Sequence, residues 1–390
     1  MNRIYLDNAS TSWPKPESVY RAVDQVSRNI GAAAGRGLSK DNVQSQRIVE
    51  QTRQLVADKI NAPSVQNVSF AFNGTDALST AIFGFVKPGD HVITTASEHN
   101  SVLRPLYHLQ SSGTIELSIV GTQESGKIEA SEIVDAIQPN TRLVTIIHAS
   151  NVTGVVQPVH KIISDIRDAG WEKICVLVDA AQSLGHLEVD VQKLGCDFLA
   201  APGHKGLLGP LGTGFLYSSD RVIDLVQPLR FGGTGTDKSV EFQPTTAPGK
   251  FESGNLNVPG LAGLKSGMEF LQSDEGIERL NKTDQSFQML VEGLMEIPAV
   301  KMQGPATTED RIPVLSMSID GFDANEAAVI LETTWGIQCR AGIHCAPLLH
   351  RALGTEKEGG TIRLSLGLFN TEQEVVDTLN AIGELGSSLK

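Results

Sequence analysis

Asp179 closes an apolar run of Cys175, Val176, Leu177 and Val178, and Ala180, Ala181 and Gln182 follow it. Lys205 comes next after Gly203 and His204, behind a second short apolar run at 198–201. An acid at the end of a buried parallel strand and a lysine in a glycine-rich turn make one chemistry available. A lysine amine condenses with an aldehyde. A carboxylate keeps a ring nitrogen protonated, so the ring drains electrons from the Cα of a bound substrate. These are the two groups that a pyridoxal phosphate site needs. Each also has an ordinary use: a strand-end acid caps a following helix, and a loop lysine is solvated.

Further polar residues end neighbouring apolar runs. Asn73, Gly74, Thr75 and Asp76 follow one run and open a helical pattern, where free N–H groups and the helix dipole form an anion seat. A plain N-cap would use the same residues. Ser97, Glu98, His99 and Asn100 follow the run at 91–95, and an imidazole there can stack on a cofactor ring. His148, Ser150 and Asn151 end another run, which offers an amide donor and acceptor. Gln182 reads as one helical turn beyond Asp179, in reach of a phenolate oxygen. The chain has neither a dinucleotide fingerprint nor a P-loop.

Arg340, His344 and Cys345 stand within six residues, in a segment whose Gly342 and Pro347 suggest an exposed loop. A reactive cysteine needs cations or N–H groups nearby. Arg363 lies in a strand pattern among apolar residues and wants an anion, which an internal acid or a substrate carboxylate can supply.

Strand patterns at 68–72, 91–95, 143–148, 175–178, 198–200 and 214–217, with a helical pattern at 75–85, predict a mainly parallel sheet covered on both faces. Ligands of such sheets bind beyond the carboxyl ends of the strands. After about residue 260 the pattern becomes α+β. Helices are expected at 261–271, continuing over 277–295, and at 325–333 and 372–385. Strands are expected around 314–318, 338–340 and 361–366. The expected division is an N-terminal segment 1–15, a large domain 16–260 and a small C-terminal domain 261–390 that carries the cysteine loop.

With 390 residues there is chain enough for two such units. Lys+Arg 32 against Asp+Glu 45 gives a net charge of −13, which argues against nucleic acid or an anionic membrane as partner. No apolar run approaches the ~18–20 residues of a membrane span, and the first residues have no signal-peptide character. A cytoplasmic protein is expected. The four cysteines make no CxxC pair and no zinc spacing, so no metal is expected. Cys175 and Cys196 read as core residues.

In this order, the motifs around Asp179, Lys205 and Cys345 resemble those of the fold-type I, class V aminotransferase-like enzymes. The branch most resembled is that of the cysteine desulfurases and selenocysteine lyases, with group II-like features. The resemblance runs from Tyr5, Leu6, Asp7, Asn8 and Ala9 to the segment 363–372. It implies an α/β fold with a seven-stranded, mainly parallel sheet and a smaller α+β C-terminal domain. It implies pyridoxal 5′-phosphate on Lys205, with Asp179 at the ring nitrogen, Gln182 at the phenolate oxygen and His99 on the ring. Asn151 would sit beside the lysine linkage, and Gly74, Thr75 and His204 would hold the phosphate. Asn8, Ala9, Arg36, Asn151, Arg340 and Arg363 would surround the substrate, with Arg363 clamping its carboxylate.

Thr234 and Thr236, in a glycine-rich loop, resemble residues that reach the phosphate of a neighbouring subunit, which implies a homodimer. The implied activity converts L-cysteine to L-alanine, with a persulfide on Cys345 for a sulfur-acceptor protein and His99 moving the thiol proton. Alternatives are a C–S or C–Se lyase, a class V aminotransferase and a non-catalytic binding protein. The sequence departs from the pattern at Pro202, where a serine is usual, and at Ile343, where a second histidine is common. The stretch 206–209 runs one residue longer than usual, and no histidine stands before Arg36. These departures imply a side branch whose substrate is cysteine, selenocysteine, cysteine sulfinate or a cystine-like compound.

Overall fold

Every residue of Cys175–Asp179 is buried, as is every residue of Phe198–Pro202 and Gly214–Ser218. Side chains alternate across a strand, so strands apolar on both faces belong inside a covered sheet. The computed structural model, which describes residues 3–35, 37–233 and 241–388, places them there. In chain order its first strands are β1 (Ile4–Tyr5), β2 (Val68–Ala71), β3 (Asp90–Thr95), β4 (Ile115–Val120) and β5 (Thr141–Ile147). Then come β6 (Cys175–Asp179), β7 (Phe198–Pro202), β8 (Gly214–Ser218), β9 (Val300–Gln303) and β10 (Val314–Ile319). The last are β11 (Ile337–Gln338), β12 (Arg340–Gly342) and β13 (Thr361–Ser365).

The seven-stranded sheet has the order β2-β8-β7-β6-β5-β3-β4. The pairs among β7, β6, β5, β3 and β4 are parallel. β8 runs antiparallel to both neighbours. Val144, Val176, Val178 and Leu199 turn one face of this sheet toward the helices Val159–Asp168 and Val258–Leu271. Leu143, Cys175, Leu177 and Phe198 turn the other toward Ala77, Leu78 and Ala81 of the helix Gly74–Phe85. Both faces are dry, as the continuous apolar runs require. A four-stranded antiparallel sheet, β12-β13-β10-β9, builds a separate core with the helices Asp274–Met295 and Glu372–Ser387.

The helix Val258–Leu271 packs into the large sheet's core. Two expectations are corrected. The long helical pattern is two helices, interrupted where the Ser273 hydroxyl caps the second. The single strand at 338–340 is two short strands in different sheets, with Cys339 between them. β4 and β9 had no sequence expectation: β4 is a partly exposed strand at the edge of its sheet and β9 has a single buried residue, so both lack an apolar run.

The N-terminal segment touches both units. β1 pairs with β11, and Ile4 and Leu6 join the second core. The Ser12 N–H donates to the His204 carbonyl, in the loop after β7.

One buried ion pair anchors the strand that leads to Gly74. Both nitrogens of the Arg53 fork meet Glu252, at 2.6 and 2.9 Å. Arg53 also donates to the Val68 carbonyl, and Glu252 accepts the Phe70 N–H. Removing one partner strands a buried charge. Glu252→Ala is therefore expected to lose about 3–5 kcal/mol in equilibrium denaturation at fixed protein concentration. A loss below about 1 kcal/mol would show that this pair does not hold β2.

Candidate active site

The strand ends of the large sheet and the N-terminal segment enclose a cavity of about 230 Å³. Ala9, Gly74, Thr75, His99, Asn151, Asp179, Gln182, His204, Lys205, Arg340 and Arg363 line it, so the structure brings these sequence candidates together. Asn8 is not among the lining residues. Its amide nitrogen donates to the Ser365 and Tyr5 carbonyls and its oxygen accepts the Trp13 N–H, so it holds the N-terminal turn instead. Arg36, Thr234 and Thr236 lie outside the described residues.

Asp179 ends β6 and is buried. Burial raises its pKa, while a hydrogen bond from the Ala181 N–H and the charge of Lys205 act against that rise. No cation lies within ion-pair distance of it among the described residues. The carboxylate thus suits a ligand atom that carries a proton. The segment after it is a turn and not the helix that the sequence suggested. Gln182 follows in that turn and donates an amide hydrogen to the Ala9 carbonyl.

Lys205 sits in the loop between β7 and β8. Its pKa falls from 10.5 to about 8, chiefly through burial, with Arg363 and Arg340 contributing and Asp179 opposing. The peptide just before it is tightly held. The His204 carbonyl accepts from the Ser12 N–H, the Ser12 and Thr11 hydroxyls and the Lys15 amine, at 3.1 to 3.3 Å. On the other side, the Lys205 carbonyl accepts the Leu208 N–H. At Gly206 a Cβ would strike the Leu184 carbonyl, so the loop closes this near to β6 only with glycine there.

An anion seat lies at the start of the helix Gly74–Phe85. The Asn73 side chain caps Asp76, which leaves the Gly74 and Thr75 N–H groups without intrahelical partners. The Thr75 and Ser101 hydroxyls are 2.7 Å apart. His204 Nδ1 is buried without a partner and is a further donor or acceptor for a ligand. Pro202 packs against Gly74, and Ser101 supplies a hydroxyl at this end of the cavity.

His99 caps the helix Asn100–Ser111. Its Nδ1 accepts the Ser101 N–H at 3.0 Å, which assigns the proton to Nε2. Its pKa drops to about 4, from burial first and then from the charges of Lys205, Arg340 and Arg363. Next to it, Glu98 is fully buried, with Oε1 accepting from Thr95 and from the Ile147 N–H and Oε2 unpartnered. Burial and then Asp179 push its pKa to about 8, so it holds a proton at neutral pH. The sequence presents Glu98 only as a neighbour of His99. Its one signal is an acid at the end of an apolar strand.

On the substrate side, Arg363 in β13 is buried and donates to Asp7, Ser10 and the Asn151 carbonyl. The partner of this strand arginine is thus an internal acid. Its Nε remains unpartnered. The Asn151 amide donates to the His344 carbonyl at 2.6 Å. Cys345 is half-buried, not fully exposed as its loop suggested. His344 and Cys345 have φ of +49° and +60°, and the Ala346 N–H closes on the Ile343 carbonyl. This is a turn with both central residues left-handed, a strained form for side chains other than glycine. It holds Cys345 Sγ 3.3 Å from Arg340 Nη2.

The Aminotransferase class-V family model matches residues 4–378. The chain belongs to the class-V aminotransferase family. It is 36% identical over 392 residues to a probable cysteine desulfurase of Methanothermobacter thermautotrophicus, covering 99% of this chain and 96% of the relative. Among solved structures it resembles the apo structure of the cysteine desulfurase of Thermococcus onnurineus, with a TM-score of 0.90 and 32% identity over 98% of this chain and 94% of the other. It also resembles the cysteine desulfurase CsdA of Escherichia coli, with a TM-score of 0.86 and 26% identity over 99% and 94% of the two chains. The seven-stranded, mainly parallel sheet matches the fold that the resemblance implied.

The state of His99 can be measured. In the labelled protein, its imidazole is expected to show the Nε2–H form at pH 7 and to protonate only near pH 4. A midpoint near the ordinary 6.5, or an Nδ1–H form, would contradict the assignment.

Proposed function

We propose that the protein is a pyridoxal-phosphate-dependent cysteine desulfurase that converts L-cysteine to L-alanine and leaves a persulfide on Cys345. The observation that carries this reading is the position of the Cys345 thiol. It lies one hydrogen bond from Arg340, which lines the same cavity as Lys205. The donor set suits the cofactor: a helix N-terminus with two hydroxyls and an unpartnered imidazole nitrogen, a buried carboxylate without a cation, and a lysine of lowered pKa. Gly74, Thr75, Ser101 and His204 would hold the phosphate, Asp179 the ring nitrogen, Gln182 the phenolate oxygen and His99 the ring face. When bound, pyridoxal phosphate supplies an aldehyde for amino groups and a ring that stabilises negative charge at the substrate Cα.

The remaining work falls to this chain's residues. Arg363 and Arg340 would receive the substrate carboxylate. With a pKa of about 8, Lys205 is neutral in about a tenth of molecules at pH 7, which lets it take the Cα proton. His99, neutral and carrying its proton on Nε2, would donate a hydrogen bond to the substrate sulfur. The Cys345 sulfur then bonds to the substrate Sγ while the substrate Cβ–Sγ bond breaks. The electron pair stays with carbon, which takes a proton. Cysteine plus the enzyme thiol thus gives alanine plus the enzyme persulfide. The persulfide would pass to a reductant or a sulfur-accepting protein. A homodimer belongs to this reading, supported by the exposed apolar side chains of Leu211, Phe231 and Phe242.

The test is alanine and sulfide release from L-cysteine, with and without dithiothreitol, for wild type and Cys345→Ala. Wild type is expected to make equal amounts of both under reductant, and the variant to lose at least about 100-fold, as when a nucleophile is removed. A variant with full activity would assign the chemistry to a lyase in which Cys345 is dispensable.

A further inference from the structure

β12 and β13 are antiparallel, and their register sets Arg340 directly opposite Arg363. Like charges facing each other across a strand pair are destabilising. The N-terminal turn resolves the conflict. Ser10 Oγ accepts from Arg340 Nη1 at 3.1 Å and from Arg363 Nη2 at 2.9 Å. It donates its single hydrogen to Asp7 Oδ1 at 2.8 Å. A hydroxyl has one hydrogen and two lone pairs, so all its capacity is in use and its orientation is fixed. Asp7 in turn accepts from Arg363 at 2.6 Å.

We infer that Ser10 is a positioning residue that ties the two active-site arginines into one anion cradle and aims Arg340 at Cys345. Two guanidiniums meet one carboxylate, so one positive charge stays uncompensated among the described residues. It is the charge of Arg340, whose other nitrogen lies 3.3 Å from Cys345 Sγ. Ser10 therefore holds the free charge of Arg340 where a substrate carboxylate would meet it. Its role in turnover rests on the desulfurase reading. Its role in the cradle does not, and the two can fail separately.

The probe is alkylation of Cys345 in the purified full-length enzyme by iodoacetate, which carries a carboxylate, and by iodoacetamide, which does not. Mass spectrometry of the Cys345 peptide separates it from the other cysteines. In Ser10→Ala the iodoacetate-to-iodoacetamide rate ratio is expected to fall about tenfold, the loss of a charge-assisted hydrogen bond. The KM for L-cysteine is expected to rise about tenfold with kcat within about threefold, and Ser10→Thr to restore both. A Ser10→Ala enzyme whose ratio and KM stay within about twofold of wild type overturns the inference, and so does one that loses kcat at unchanged KM. If wild type makes no alanine from L-cysteine, the desulfurase reading falls and the alkylation ratio still decides the cradle.

Discussion

A carboxylate buried without a cation is the constraint on which the rest of this structure depends. Asp179 ends a strand covered on both faces, and its only described donor is the Ala181 N–H. Removing a charge from water in this way costs several kcal/mol unless a partner arrives. Lys205 is near enough to be felt electrostatically, yet it makes no ion pair and its own charge is disfavoured by burial. Glu98 responds to the same field. With Asp179 beside it and one oxygen unpartnered, it keeps its proton. Burial raises the pKa of both neighbouring carboxyl groups, and of the two it is Asp179 that faces the cavity.

The N-terminal segment makes this arrangement one object. Within a dozen residues it pairs with β11, bridges Asp7 to Ser365, supplies the Ala9 carbonyl to Gln182 and places four donors on the His204 carbonyl. The lysine loop of the large sheet and the arginine strands of the small one are therefore positioned by the same few residues. Three histidines complete the wall: His99, His204 and His344 all have depressed pKa values, each with desolvation as the first cause.

Much of this was legible in the sequence where the signal is local. Unbroken apolar runs ending in Asp179, or leading to Lys205, specify buried parallel strands and the groups at their ends. The pairing of Arg340 with Arg363 was not legible, because it depends on register between strands separated by a helix and a turn. The places of Asp7 and Ser10 depend on the same long-range register, and the side chain of Asn8 serves the backbone. Gln182 does not lie one helical turn beyond Asp179, because the chain turns there to bring its amide to Ala9. The antiparallel direction of β8 leaves no mark in composition, since its residues are as fully buried as those of the parallel strands β6 and β7.

The most direct test of the account is borohydride reduction of the purified protein in pyridoxal phosphate, followed by peptide mass analysis. Lys15 makes this discriminating, because burial lowers its pKa to about 8 as well. If Asp179, the anion seat and the loop after β7 form one site, the pyridoxyl mass falls on Lys205 and on no other lysine. An adduct on Lys15, or an unmodified Lys205, would contradict it.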